Sequence, residues 1–294
     1  MRVTQNTLTQ NLLSDIAKNR AEAASLQRKT STQKEVNRPS DDPLAFSSAK
    51  DIEAVIARNE QFQDNIQSAR EQTFEAETAI IAMLDQLTNV KALTVQAANS
   101  TLDQAGLDAV ADELAGVRQT FIELANTQSN GRYIFAGTAT LTKPFEANGD
   151  NASYLGNTND LSIRINNGTD VNVSVDGGDL ASIGGETIFD LFERLEASIR
   201  ANDQSAINAD LDTVDSAIDH FTGISANLGD TINRLDFAFQ QVEQNNITLK
   251  GNFSRLVDAN LDEVFADLQN TQFALQAALQ TSATLLRTSL LNFI

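Results

Sequence analysis

The apolar positions follow a helical period at both ends of the chain and a period of two in the middle. Residues 1–37 carry a sparse heptad of Leu12, Ile16, Asn19, Ala23, Leu26 and Thr30. The spacing predicts a helix, but its seam is small or polar, so the helix buries little and is marginal alone. The run Arg38-Pro39-Ser40-Asp41-Asp42-Pro43 interrupts it; Asp42 suits the cap of a following helix and Pro43 its first turn. From Leu44 to Ala105 there is no Pro or Gly. Val55, Asn59, Phe62, Ile66, Ala69, Thr73, Ala76, Ile80, Met83, Leu87 and Val90 sustain a 3–4 spacing. That predicts a helix of roughly 55 residues, about 80 Å long, with coiled-coil-like packing. A shorter helix with Leu107, Val110, Leu114, Val117, Phe121 and Leu124 on one face follows, and Asn130-Gly131 is expected to end it.

The centre changes period. Tyr133 and Phe135 alternate with Ile134 and Ala136, and Leu161, Ile163, Ile165 and Val171, Val173, Val175 form two further alternating runs. Asn166-Asn167-Gly168-Thr169-Asp170 between the last two is a hairpin signal. Of the 14 glycines, 9 lie between Gly131 and Gly185, so this stretch is rich in turns and both flanks are free to run as helices. Helical spacing returns in a short segment near 186–200. A long run then carries Ile207, Leu211, Val214, Ile218, Phe221, Leu228, Ile232, Leu235, Phe239, Val242, Asn246, Leu249, Phe253 and Leu256. The last segment places Leu261, Phe265, Leu268, Gln272, Leu275, Leu279, Ser282, Leu286, Ser289 and Phe293 on its expected seam.

The expected fold is mainly α with a β-rich insertion. It has an N-terminal arm (1–37), a helical body in two halves (38–136 and 186–260), a small outer insertion (137–185) and a C-terminal arm (261–294). This order is a palindrome, and folding it back on itself makes an antiparallel long-helix bundle with the two coiled-coil arms side by side. The arms have little seam of their own and few charges outside it. Order gained in an assembly of several chains is the reading that follows.

Charge and composition sharpen this picture. Lys and Arg number 21 against 40 Asp and Glu, a net charge of −19. Residues 1–37 are net +3 and residues 261–294 net −2, so the acidity is concentrated between the arms. Such a chain repels phosphate backbones, which argues against nucleic-acid binding. The absence of Cys excludes disulfides, thiolate metal sites and cysteine catalysis, and the lone His220 excludes multi-histidine metal sites. The N-terminus has no apolar run of signal-peptide length, and the uncharged stretch Leu268–Leu286 contains four glutamines, so no membrane insertion is expected. A cytoplasmic protein, or one exported without a cleaved signal, fits.

No catalytic, cofactor or metal site is expected. His220 has no histidine partner and reads as structural. Asp41 and Asp42 are explained by turn and cap roles rather than as an acid–base pair. The Asn- and Asp-rich stretch Asn148–Asp160 lacks the spacing of a calcium loop. The Asn-x-Ser/Thr sites are those that an Asn-rich chain contains by chance.

Three motifs are more specific. Arg38-Pro39-Ser40-Asp41-Asp42-Pro43 before a long helix, Val95-Gln96-Ala97-Ala98-Asn99-Ser100 and Asn130-Gly131-Arg132-Tyr133-Ile134-Phe135-Ala136-Gly137-Thr138 resemble the flagellin superfamily, and the last, together with the first, resembles its hook–filament junction branch. The C-terminus, with Leu268-Gln269, Leu275-Gln276-Ala277 and the close Ser289-Leu290-Leu291-Asn292-Phe293-Ile294, is similar as well. The resemblance covers about 1–140 and 186–294. It implies a non-enzymatic axial subunit exported through the flagellar type III channel to the hook–filament junction. The implied partners are hook-associated protein 1, flagellin, further copies of the chain, and an export chaperone holding the C-terminal helix. The residues expected at subunit contacts are Leu8, Leu12, Ile16 and Leu26 with Leu268, Leu275, Leu279, Leu286 and Phe293. Arg38, Pro39, Ser40, Asp41, Asp42 and Pro43 form the expected hinge. The alternatives are a filament-forming flagellin and, more remotely, a secreted glycan-binding adhesin using the insertion.

Overall fold

The computed structural model describes residues 2–99, 102–149 and 151–291. Helices α1 (Arg2–Thr32), α2 (Pro43–Ala98) and α3 (Gln104–Ala125) come first. Four separate two-stranded antiparallel ribbons follow: β1 (Gln128–Ser129) with β2 (Arg132–Tyr133), β3 (Phe145–Asn148) with β4 (Asn151–Tyr154), β5 (Ser162–Arg164) with β6 (Asp170–Asn172), and β7 (Ser182–Ile183) with β8 (Glu186–Thr187). The one-turn helix α4 (Gly177–Ala181) precedes β7, and α5 (Ile188–Arg200), α6 (Gln204–Val257) and α7 (Leu261–Leu291) complete the chain. It divides into two compact units, Met1–Arg58 with Asn245–Ile294 and Asn59–Gln244; α2 and α6 contribute to both.

The unit Asn59–Gln244 holds the main core. Ala76, Ile80, Met83, Leu87 and Val90 of α2 are buried with Leu107, Leu114 and Phe121 of α3, Phe189, Phe192 and Leu195 of α5, and Ile207, Val214 and Phe221 of α6. Within it α2 and α6 run antiparallel: Gln204 donates to the Ala97 carbonyl at 3.1 Å, and ion pairs Lys91–Asp215 and Arg70–Asp236, each 2.6 Å, continue the opposed register. A second cluster seats the β5–β6 ribbon: Ile165, Val171 and Val173 pack on Ile66 and Ala69 of α2 and on Leu235, Ala238 and Val242 of α6. Helix α5 opens with a capping box in which Thr187 and Asp190 satisfy each other's backbone N–H groups.

Two expectations are corrected here. Helix α3 stops at Ala125, not at Asn130-Gly131. The Asn126 side chain ends it by donating to the Ile122 and Phe145 carbonyls and accepting from the Phe145 N–H at 3.0 Å. Asn130 (φ 50°) and Gly131 (φ 77°) instead make the two-residue turn joining β1 to β2, where both central residues need positive φ. The alternation from Tyr133 to Ala136 also fails as a strand. Only Arg132 and Tyr133 lie in a strand; Ala136 makes an isolated antiparallel bridge to Asp176, and Ile134, Phe135 and Ala136 are all buried in succession as the chain passes through the core.

Gly137 follows immediately, with φ +62°, and a Cβ there would stand 2.1 Å from the Asn157 carbonyl oxygen. The Asn157 side chain fixes the same turn by accepting from the Thr138 N–H at 3.0 Å. Gly137→Ala is expected to destabilise the protein by at least about 2 kcal/mol, because a backbone contact has no flexible end that can yield. The shift of the urea midpoint measures it.

Candidate assembly interface

The unit formed by Met1–Arg58 and Asn245–Ile294 is built around an α1–α7 hairpin. The helices meet where α1 ends and α7 begins. There the Glu35 and Val36 N–H groups donate to the Val257 carbonyl at 2.7 and 3.3 Å, and the Ala259 N–H donates to the Gln33 carbonyl at 3.0 Å. Gln33 has φ 59°, a left-handed stop directly after the helix. Val36 and Val257 are buried beneath this junction, and the Lys34 ammonium lies 5.5 Å from the centre of the Phe253 ring.

The turn that follows is organised by two carboxylates. Asp41 accepts from the backbone N–H groups of Asn37 and Arg38, both at 3.0 Å. Asp42 caps α2 by accepting from Leu44 and Ala45, at 2.9 and 3.0 Å, and Pro43 opens the helix, as the sequence predicts. The Asn37 N–H chiefly holds the Asp41 carboxyl below its ordinary range; dehydration opposes it, and the Arg38 N–H and the charges of Arg38 and Arg28 add to the lowering. A carboxyl depressed in the folded state lends stability above its ordinary, unfolded value and loses it as pH falls through the folded value. A carbon-detected NMR titration should therefore give Asp41 a midpoint below that of an ordinary aspartate; an ordinary midpoint would contradict the turn.

The seam of α1 is the expected one: Ile16 is buried and Leu12, Asn19, Ala23, Leu26 and Thr30 are half-buried. That of α7 keeps Leu261, Leu268, Leu275 and Ser282 of the expected row, but its alternate positions fall one residue earlier. Leu261, Val264, Leu268, Thr271, Leu275, Ala278 and Ser282 face inward, while Phe265, Gln272 and Leu279 lie exposed. Both rows repeat at 3–4 spacing, so spacing alone does not choose between them. Val264, Thr271 and Ala278 are thus the residues that sequence reasoning missed, and the flanking Leu261, Leu268 and Leu275 were the available signal. Leu12, Ile16, Leu26, Leu268 and Leu275 are brought into one hairpin, and Leu279 is not. Leu8 and Leu286 lie on helical backbone whose side chains fall outside the description, and Phe293 lies outside the described residues.

Among the described side chains of α1 and α7, only Ile16 and Val264 are buried. Leu13, Phe265, Phe273 and Leu279 project outward, between 41% and 66% exposed. Two helices of 31 residues with so little buried between them present an apolar surface that a single chain does not cover.

The other candidate chemistry is accounted for locally. His220 donates from Nε2 to the Asp179 carbonyl at 3.0 Å and packs edge-on against Phe221. In the insertion, Phe145 is buried, with its ring 5.2 Å from that of Tyr154, whose hydroxyl donates to the Asn157 carbonyl at 2.9 Å. The two rings that a glycan-binding platform would need are occupied by the core. Among the described residues no group of three His, Cys, Asp or Glu could hold a metal ion, and no helix is long and apolar enough to cross a membrane.

Comparison with known proteins gives a consistent picture. The bacterial flagellin N-terminal helical region matches residues 3–140, and the bacterial flagellin C-terminal helical region matches residues 211–294. The chain is 26% identical to flagellar hook-associated protein 3 of Salmonella typhimurium over 305 aligned residues, covering 96% of both chains. It is 24% identical to the flagellin of Bacillus subtilis, covering 95% of this chain and 94% of that one. Among solved structures, a flagellar hook-associated protein from Vibrio parahaemolyticus has a TM-score of 0.70 at 21% identity, covering 74% of this chain and 100% of that one. The flagellar junction protein of Legionella pneumophila has a TM-score of 0.61 at 16% identity, covering 72% of this chain and 100% of that one, a likeness of fold.

Proposed function

Because the chain belongs to the flagellin family, we propose that it is a structural junction protein of the bacterial flagellum, an exported axial subunit connecting the hook side to the flagellin filament. The observation that carries this reading is end-to-end alignment with hook-associated protein 3, whose relatives from two organisms each cover at least 95% of both chains. The outward apolar face of the α1–α7 hairpin supports it physically, since burial of that face needs other chains. In finer detail, copies form a ring with hook-associated protein 1 on one side and flagellin on the other. An export chaperone holds the C-terminal helix beforehand. The arms 1–37 and 261–294 line the inside, the helical segments 38–136 and 186–260 form the body, and 137–185 faces outward. Leu8, Leu12, Ile16, Leu26, Leu268, Leu275, Leu279, Leu286 and Phe293 make the arm contacts, and Arg38 to Pro43 act as the hinge. The chain performs no catalysis in this role.

Deleting the gene in its motile source bacterium tests the reading. Hooks without filaments, with flagellin lost to the medium on immunoblot, are the expected result. Loss of flagellin itself from the cell and medium would make the chain the filament subunit, and normal flagella would refute both.

A further inference from the structure

The unit Asn59–Gln244 carries two apolar features that its own fold leaves unpartnered. On α2, Phe74 and Ile81 stand two turns apart, 63% and 48% exposed. Glu71, Glu75 and Asp85 flank them on the same exposed stretch, and none of the three is in an ion pair among the described residues. Elsewhere in the unit, a groove of about 380 Å³ runs between α6 and the β5–β6 ribbon. Its floor is Ile165, Val171 and Ala238, and Phe237 stands at its rim, 69% exposed. The only charged side chain lining it is Arg234. Phe74 lines no part of this groove in its own chain.

We propose that the Phe74–Ile81 ridge of one copy seats in the Arg234–Phe237 groove of the next copy. Shape and charge both select this occupant. The groove has room for an aromatic side chain over an apolar floor. Residues 59–244 hold 29 acidic and only 9 basic side chains, so most faces of this unit repel a second copy. Six of those cations, Arg70, Lys91, Arg118, Arg164, Arg194 and Arg200, are already in ion pairs within the chain. Arg234 is one of the three with no ion pair among the described residues, and it sits at the groove's rim, where it meets the carboxylates that flank the ridge of the next copy. Ridge and groove are different surfaces, so the contact is heterologous. Repeated from copy to copy, it generates a closed ring or a helical array. The inference rests on the reading that the chain assembles from copies of itself, and it moves part of that assembly from the arms to the body.

The chain has no cysteine of its own, which makes cross-linking a clean test. Thr78→Cys on the ridge and Gln241→Cys at the groove are combined in one chain. They are probed with a bismaleimide in isolated flagella and in the concentrated purified protein. The double variant should give a ladder of dimers, trimers and larger species, and each single variant should stay monomeric, because a heterologous contact never brings two like cysteines together. Adding Phe74→Ala should reduce the ladder about tenfold without unfolding the chain, since Phe74 is largely exposed. Absence of a ladder in both preparations overturns the contact. So does a dimer from either single variant, or a cross-link to another flagellar protein in place of a second copy. A ladder in solution from a chain missing from flagella would sink the junction reading while upholding the contact.

Discussion

Phe121→Ala should lower the stability of the unit Asn59–Gln244 by about 3–5 kcal/mol, the range for emptying a closed aromatic site. Phe121 is 1% exposed and is the ring on which three elements converge. Its centroid lies 6.1 Å from Phe189 and 5.5 Å from Phe192 of α5, and 5.4 Å from Phe221 of α6, each pair near edge-to-face. Truncation forfeits the transfer energy of the ring and all three edge contacts together. Collapse into the space is opposed because α5 is held from outside. Arg118 reaches Glu196 at 2.9 Å, and Arg200 reaches both Glu196 and Asp112. Urea unfolding followed by far-UV circular dichroism measures the loss. Phe74→Ala, on the exposed ridge, is the matched control and should change stability by no more than about 0.5 kcal/mol. Similar midpoints for the two variants would mean that the convergence on Phe121 does not organise the core.

The long helices were legible because their signals are local. Proline and glycine are missing from Leu44 to Ala105, Asp42 and Pro43 open α2, and the apolar rows of α2 and α6 repeat without interruption. The Asn166–Asp170 hairpin was legible for the same reason. The end of α3 was not, because its terminator acts across 19 residues of sequence: Asn126 holds Phe145. Asn-Gly is compatible with a helix stop and with a hairpin turn, and only that distant partner decides between them. The three consecutive buried residues Ile134–Ala136 are a further tertiary effect, since a segment crossing a core has no face to alternate. In the assembly region the α1 seam was readable because its other faces are mostly polar, Leu13 apart. The α7 seam was ambiguous because Phe265 and Leu279 compete with Val264 and Ala278 for the same spacing. The ridge and groove of the body had no sequence signal. Phe74 and Phe237 stand among helical residues like any others, and only the fold reveals that nothing covers them.

Leu279→Ser combined with Leu286→Ser should abolish filament attachment while leaving the body folded. The two positions are seven residues apart, two turns of helix, so they share a face. At Leu279 that face is outside the α1–α7 seam, which relies on Leu261, Val264, Leu268, Thr271, Leu275, Ala278 and Ser282. Serine at Leu279 therefore removes apolar surface that the single chain leaves in water and that an assembled neighbour would bury. The melting temperature of the purified double variant should stay within roughly 2–4 °C of the parent, whereas cells producing it should carry bare hooks and shed flagellin. Ile16→Ser is the contrasting variant: it strikes the one buried seam position among the described side chains of α1, and it should reduce helicity before any assembly is attempted. If the double variant attached filaments normally, the outward row through Leu279 would not be the contact. The apolar side chains on the remaining faces, Leu13 and Phe273, would then be the ones that neighbouring subunits cover.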